Sequence, residues 1–337
     1  MRVAEVLDLL RTRSLGRDEA LGLFRRVVAG ELAEVEIAAV LAALKTRGET
    51  PVEIAGAAQA LREGALGFPA PDYPCADTCG TGGDGVGSLN VSTAVAFVAA
   101  EMGIPVAKHG NRSVSSRCGS ADVLEALGVR LDPPPEVSRR CLDEAGICFL
   151  LAPQYHPGVR HATPVRRALG TRTMFNLLGP LANPARPAWQ LMGVYDPQLV
   201  APLAETLGLL GCRAALVVHG AGHDELVLHG SSTVARWKDG RLDRLTVTPE
   251  RAGVAAAPPD ALLGGGPEEN AAWLREILSG QGTTAHVDAI ALNAGALAWV
   301  ADRAATLVEG VAQARAVILS GAPARRLDRF IELSHGT

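Results

Sequence analysis

The stretch CGTGGDGVGSLNVST, Cys79 to Thr93, carries glycines at 80, 82 and 85, the G-x-G-x-x-G spacing of a dinucleotide-binding turn. Such a turn needs an apolar strand running into its first glycine and a helix opening at its last, so that a pyrophosphate rests on the helix N-terminus. Here the approach is the polar CADTC, and seven residues separate Gly85 from Thr93, near which the next helical pattern starts. The following apolar run, Ile104 to Ala107, leads into Lys108 and His109, where an NAD enzyme would carry an acid; a basic residue there still suits NADP. Ser88, Asn90, Ser92 and Thr93 after the glycines fit a different phosphate better. Glycines let successive N–H groups turn toward an anion, and hydroxyls and a helix terminus add donors.

A second donor-rich loop follows. KHGNRSVSSRCGSAD, Lys108 to Asp122, supplies Lys108, His109, Asn111, Arg112, Ser113, Ser115, Ser116, Arg117 and Ser120 within thirteen residues. Lys108 is one of three lysines, with Lys45 and Lys238. Two such loops after two strands of a parallel sheet belong in the crevice at the strands' carboxyl ends. Asp224 and Glu225 come just after the apolar run Leu216 to His219. Adjacent carboxylates in a turn are as readily solvated as ligating, but beside two phosphate loops they favour a hard cation such as Mg²⁺, completed by substrate oxygens.

Residues 1–66 read as helices alone, with apolar positions at Val3, Val6, Leu7 and Leu10, at Leu21, Phe24, Val27 and Val28, and at Ile37, Val40, Leu41 and Leu44. A fourth helix is marked by Thr50 as cap, Pro51 at its first position, Glu53 completing a capping box and Gly64 at its end. The prolines of LGFPAPDYP, Leu66 to Pro74, stop the helical pattern, so 67–74 is expected to be a hinge. From 75 to 337, short apolar runs (Ile104–Ala107, Ile147–Leu151, Gln190–Val194, Ala214–His219) alternate with helical ones (Ser92–Met102, Ser120–Leu127, Glu136–Ala145, Val200–Leu210). The expected fold is α/β: a small all-helical N-terminal domain, then a large domain with a central, mostly parallel sheet flanked by helices. Thr233–Lys238 and Leu242–Thr248 read as an antiparallel hairpin, and a helix near 173–184 is expected to pack with the helical domain.

Composition sets the outer bounds. At 48% hydrophobic, 20% charged and a net charge of −4 the chain has no general attraction to nucleic acid, so positive charge for an anionic ligand has to be gathered locally. The N-terminal MRVAEVLDLLRTRS lacks the unbroken apolar core of a signal peptide, and no run approaches the ~18 apolar residues of a membrane span. The expectation is a cytoplasmic enzyme with no membrane partner. Six cysteines, at 75, 79, 118, 141, 148 and 212, match no zinc spacing and are too sparse for a disulfide scaffold. They read as reduced, packed thiols.

GTGGDG at 80, NVST at 90, KHGNRSVSS at 108, GSADVLEALG at 119, FNLLGPLANP at 175 and the Asp224-Glu225 pair, in this order along nearly the whole chain, resemble the anthranilate phosphoribosyltransferase family. The resemblance implies transfer of a phosphoribosyl group from 5-phosphoribosyl 1-diphosphate to anthranilate in tryptophan synthesis, with Mg²⁺, by a homodimer formed through helical domains. It places the sugar-diphosphate site on Gly80, Gly83, Asp84, Ser88, Asn90, Val91, Ser92 and Thr93, and on Lys108, His109, Gly110, Asn111, Arg112, Ser113, Val114, Ser115, Ser116 and Ser120. The metal ligands it implies are Ser92, Asp224 and Glu225, and its anthranilate contacts are Gly80, Asn111, Arg166 and, nearby, His109 and His156. Positioning rather than proton transfer is the role expected of His109, Asn111 and Arg166, and equally of His156. Ser88 stands where the family more often has threonine, and Cys118 where it more often has serine. Pyrimidine nucleoside phosphorylases share the fold and a KHG segment and are the alternative enzyme; the Asp-Glu pair, Asn111 and Arg166 argue against them, and against a silent nucleotide-binding protein.

Overall fold

The computed structural model describes residues 2–336 apart from 83–86, 88 and 114–116. The N-terminal part is helical: α1 (Val3–Leu10), α2 (Arg17–Ala29), α3 (Glu34–Arg47) and α4 (Pro51–Glu63). At the start of α4, Thr50 and Glu53 form the expected capping box: the Thr50 side chain accepts from the Glu53 N–H and the Glu53 carboxylate accepts from the Thr50 N–H at 2.9 Å. Glu53 is fully buried, and its remaining lone pairs accept from the Leu15 N–H (2.8 Å) and from Arg47 (2.6 Å). One carboxylate thus ties the entry to α2, the end of α3 and the start of α4.

Among the described residues seven strands form one sheet: β1 (Ala76–Gly80), β2 (Val106–Gly110), β3 (Ile147–Leu151), β4 (Trp189–Gly193), β5 (Ala214–Gly220), β6 (Ser232–Lys238) and β7 (Arg241–Val247). Their order is β3-β2-β1-β4-β5-β6-β7, parallel from β3 to β5 and antiparallel at β6 and β7. Alternate strand residues serve opposite faces. Leu191, Leu216 and Val218 join the core around helix α5 (Val91–Glu101), while Met192, Ala215 and Val217 join that of α2 to α4 and helix Val200–Leu209. The sheet is buried on both faces, as a parallel sheet requires. From β1 the chain works outward to β3 and then returns to the other side of β1 at β4, so the switch point lies between β1 and β4, with Gly80 opposite Gly193. The crevice at their carboxyl ends is where such a fold binds ligands.

Two expectations need correcting. The polar CADTC approach holds a buried central strand, with Asp77 fully enclosed and Thr78 1% exposed. Its polar groups are satisfied internally: the Thr78 hydroxyl donates to the Ser92 carbonyl at 2.7 Å, and Asp77 accepts from Asn183 and from the His109 N–H. The objection to a dinucleotide turn from a polar approach therefore falls, whereas the delayed helix stands, since α5 opens only at Val91. Second, β2 runs through Lys108 and His109 instead of ending before them, which sends the two side chains to opposite faces of the sheet. The segment near 173–184 is a short helix, Phe175–Leu178, and a 3-10 turn, Gly179–Leu181; the Phe175 ring lies 5.9 Å from that of Phe24 in α2. All six cysteines are buried and none forms a disulfide among the described residues, of which no helix is long and apolar enough to cross a membrane.

Candidate active site

On the α5 face, Lys108 is 2% exposed and donates through Nζ to the Thr78 carbonyl at 2.5 Å and to Ser92 Oγ at 3.1 Å. Burial pulls the ammonium below its usual range, and the carboxylates of Asp77, Glu225 and Asp224 pull it back. No carboxylate among the described residues forms an ion pair with it. A cation thus sits beneath the strand end, pinned between β1 and the first turn of α5. Thr93, in the same turn, is buried, and its hydroxyl has no hydrogen-bond partner among the described residues. Asn90 bridges the two loops, donating to the Cys118 carbonyl (3.1 Å) and accepting from Asn270 (2.8 Å).

The loop after β5 brings Asp224 and Glu225 to the same place. Asp224 Oδ2 accepts from the Gly82 N–H at 2.8 Å, and Thr78, Ser92, Leu191, Gly193, Asp224, Glu225 and Asn293 line one small cavity. Two carboxylates and the Ser92 hydroxyl form an oxygen donor set, the kind a hard divalent cation takes. The expected ligands are therefore neighbours.

The second loop is organised by Asp122, whose carboxylate accepts from the backbone N–H groups of Ser113 and Gly119, both at 2.9 Å. Arg112 turns toward helix Ser120–Ala126, pairing with Glu125 at 2.7 Å and Asp122 at 3.2 Å. Its charge is already matched there. Asn111 is exposed, its side chain capping the Arg112 N–H, and its carbonyl accepts from Ser120 Oγ at 3.3 Å. Gly83, Asp84, Ser88, Val114, Ser115 and Ser116 lie outside the described residues.

On the opposite face of the sheet, His109 and His156 meet edge to face with ring centres 5.1 Å apart, and both are buried. His109 Nδ1 lies 3.0 Å from the Gly179 carbonyl, which can only accept, so Nδ1 carries the proton and Nε2 is left as an acceptor. That Nε2 is buried with no partner among the described residues. Burial pushes His109 down to about 3 and His156 down to about 4, so both rings are neutral near pH 7. Around them, the carbonyls of Gly179, Pro180 and Leu181 accept from His109, from Gln190 of β4 (2.7 Å) and from Arg62 of α4 (2.7 Å). Asn183 then donates to Asp77 and to the Ala107 carbonyl, both at 2.8 Å. The segment FNLLGPLANP is thus a strap joining the helical part to three strands.

Arg166, in helix Thr163–Leu169, is half-buried with its guanidinium 5.6 Å from the Phe175 ring centre, at the head of that strap. Burial lowers its pKa, and no carboxylate among the described residues pairs with it. A half-buried fork of donors with no carboxylate partner among the described residues is suited to a ligand carboxylate. The sequence reading missed Asp77, Thr78, Asn183 and Arg62 as functional residues; Asn183 falls in a motif that carries the family resemblance, and Asp77 and Thr78 in the approach read only as polar.

A crevice at the switch point of a parallel sheet, with two donor-rich loops and a carboxylate pair at its rim and a helical bundle beside it, is the frame of a class of group-transfer enzyme. Residues 72–324 match the glycosyl transferase family, a/b domain, and residues 6–65 its helical bundle domain. Within that class the chain belongs to the anthranilate phosphoribosyltransferase family. It is 62% identical over 320 residues to the anthranilate phosphoribosyltransferase of Sorangium cellulosum, covering 95% of this chain and 92% of the relative. The crystal structure of the Thermus thermophilus enzyme of that name superposes with a TM-score of 0.94 at 46% identity, over 99% of this chain and 100% of that one. The Saccharomyces cerevisiae enzyme, in complex with PRPP and Mg, superposes with a TM-score of 0.83 at 28% identity, over 99% of this chain and 92% of that one.

Proposed function

We propose that the chain transfers the 5-phosphoribosyl group of 5-phosphoribosyl 1-diphosphate to the amine of anthranilate, giving N-(5-phosphoribosyl)anthranilate and pyrophosphate. Beyond family membership, one observation carries this reading: the Gly82 N–H to Asp224 hydrogen bond, which joins the glycine loop and the carboxylate pair in one cleft. Breaking the anomeric C–O bond leaves a cationic ribosyl centre and a departing diphosphate, so the protein has chiefly to neutralise the leaving group and hold the nucleophile in line. Backbone N–H groups of the glycine loop and the N-terminus of α5 serve the anion. Ser92, Asp224 and Glu225 are the residues that would hold Mg²⁺, which when bound supplies positive charge to the diphosphate. Lys108 adds a fixed positive field from below.

On the acceptor side, Arg166 clamps the anthranilate carboxylate and Asn111 contributes a polar contact at the cleft mouth. The anthranilate amine is an aniline, neutral at cellular pH, so no strong general base is needed. His109 stays neutral and offers Nε2 to the amine N–H, with His156 packing the ring in place.

The helical part, 1–66, is a domain that forms a homodimer, and 67–74 is the hinge on which the α/β part, 75–337, moves against it; Val35 of α3, 75% exposed, supports an apolar contact there. Six buried cysteines, none in a disulfide among the described residues, suit a cytoplasmic enzyme. Anthranilate fluorescence tests the activity directly: its signal is expected to decay with purified protein, 5-phosphoribosyl 1-diphosphate and Mg²⁺. A constant signal from well-folded protein, or phosphorolysis of thymidine in its place, overturns the reading, and a monomer by sedimentation overturns the dimer.

A further inference from the structure

Asn293 is 1% exposed on helix Thr284–Val300, on the α5 side of the sheet. Its carboxamide grips a single residue of the loop after β5: Oδ1 accepts from the Leu226 N–H at 3.1 Å, and Nδ2 donates to the Leu226 carbonyl at 2.9 Å. Nδ2 also donates to the Ala289 carbonyl at 2.9 Å, one helical turn back, which fixes the side-chain rotamer. Leu226 directly follows Glu225. Upstream, the same loop packs against two glycines, Gly193 and Gly220, whose lack of a β-carbon leaves room for the Asp224 and Glu225 carbonyls.

We propose that Asn293 is a positioning residue for the Asp224–Glu225 pair: by clamping the Leu226 backbone at both its N–H and its C=O, it fixes where the two carboxylates point into the cleft. The inference rests on the reading of that pair as cation ligands. Two hydrogen bonds to one residue fix its orientation as well as its place, as a β-bridge would. Asn293 lines the same small cavity as the carboxylates, but its carboxamide is committed to Leu226 and Ala289, so it acts on the pair through the backbone.

The test uses the full chain and Mn²⁺ alone as probe, with free ion counted by electron paramagnetic resonance. Asn293→Ala and Asn293→Ser are both expected to weaken Mn²⁺ binding by roughly 10-fold, the scale seen when groups that orient metal ligands are removed. Serine guards against misfolding, since its hydroxyl still bonds back to the Ala289 carbonyl while losing both bonds to Leu226. Leu297→Ala, a core truncation in the same helix, is the stability control and is expected to bind Mn²⁺ as wild type does. Asp224→Asn with Glu225→Gln separates the two layers. If that double variant loses Mn²⁺ while both Asn293 variants stay within twofold of wild type, the positioning role alone is overturned. If the double variant binds normally, the metal reading falls and the proposal with it. An equal loss in Leu297→Ala reduces Asn293 to a general packing residue and overturns its positioning role.

Discussion

Asp224 Oδ2 occupies the space in which a β-carbon on Gly80 would lie; the two would stand 2.2 Å apart. On the neighbouring strand, a β-carbon on Gly193 would stand 1.5 Å from the Asp224 carbonyl oxygen. Gly80 and Gly193 face each other in register, so both strand ends are glycine because the carboxylate loop lies across them. What differs is which atom has to give way.

At position 80 the obstacle is a carboxylate, which can swing aside. Gly80→Ala is expected to keep its stability within about 1 kcal/mol yet lose most of its Mg²⁺-dependent turnover. At position 193 the obstacle is backbone, so Gly193→Ala should lose about 1–3 kcal/mol or more, the usual scale of overpacking. Urea unfolding beside a Mg²⁺ titration of turnover separates them. Equal destabilisation of the two variants would mean that Asp224 is not held where its geometry places it.

Arg166 is the anthranilate clamp only if its loss is felt by one substrate. A hydrogen-bonded charge pair is worth about 1.5–3 kcal/mol, so Arg166→Ala should raise the KM for anthranilate roughly 10- to 100-fold. The KM for 5-phosphoribosyl 1-diphosphate should stay within about twofold. Arg166→Lys keeps the charge but not the fork and should fall between. Steady-state kinetics with each substrate varied in turn decides the matter, and parallel losses for both substrates would remove the assigned role.

The buried histidines set a pH dependence whose sign follows from their shifts. An unfolded histidine takes up a proton near 6.5, whereas His109 does so at about 3 and His156 at about 4 in the folded protein. Below 6.5 the unfolded chain binds protons that the folded one does not. Their contribution is therefore full above pH 6.5 and is lost as pH falls toward 4, by about 1.4 kcal/mol per pH unit for each ring. Asp77 works in the opposite sense, because burial pushes its carboxyl up to about 6 and the folded protein takes that proton first. Between pH 6 and 4 it offsets one of the two rings. His109→Asn should thus flatten the fall in stability over that window, as measured by urea unfolding at several pH values. An unchanged slope would show that His109 titrates normally.

Much of this was legible in the sequence because it is local. Capping at Thr50 and Glu53, the β6–β7 hairpin and the two donor-rich loops each depend on residues a few positions apart. The CADTC approach was misread for the converse reason: its Asp77 makes it look too polar for a buried strand, and the amide that permits that burial, Asn183, lies 106 residues away. Lys108 and His109 were placed beyond their strand because apolar character stops at Ala107, whereas strand pairing continues to Gly110. Arg166 beside Arg167 gave no reason to prefer one over the other; burial of Arg166 and exposure of Arg167 supply it. The strap was out of reach of pattern reading, since the Arg62 to Leu181 bond spans 119 residues.

Within that strap Asn183 reaches both β1 and β2. Its Nδ2 serves both Asp77 and the Ala107 carbonyl, and its Oδ1 accepts from the Ala185 N–H at 2.9 Å. Asn183→Ala leaves a fully buried carboxylate short of a donor and should cost roughly 2–3 kcal/mol. Asp77→Asn removes the charge that needs the donor, so in the Asn183→Ala background it should cost less than it does alone, by about 1 kcal/mol or more of coupling. Because Asp77 also accepts from the His109 N–H at 3.2 Å, loosening it should raise the KM for anthranilate more than that for the sugar diphosphate. A double-mutant cycle by urea unfolding, with kinetics on the Asn183→Ala protein, tests both halves. Additive stabilities would dissolve the Asp77–Asn183 link, and unaltered anthranilate kinetics would confine the strap to holding the fold together.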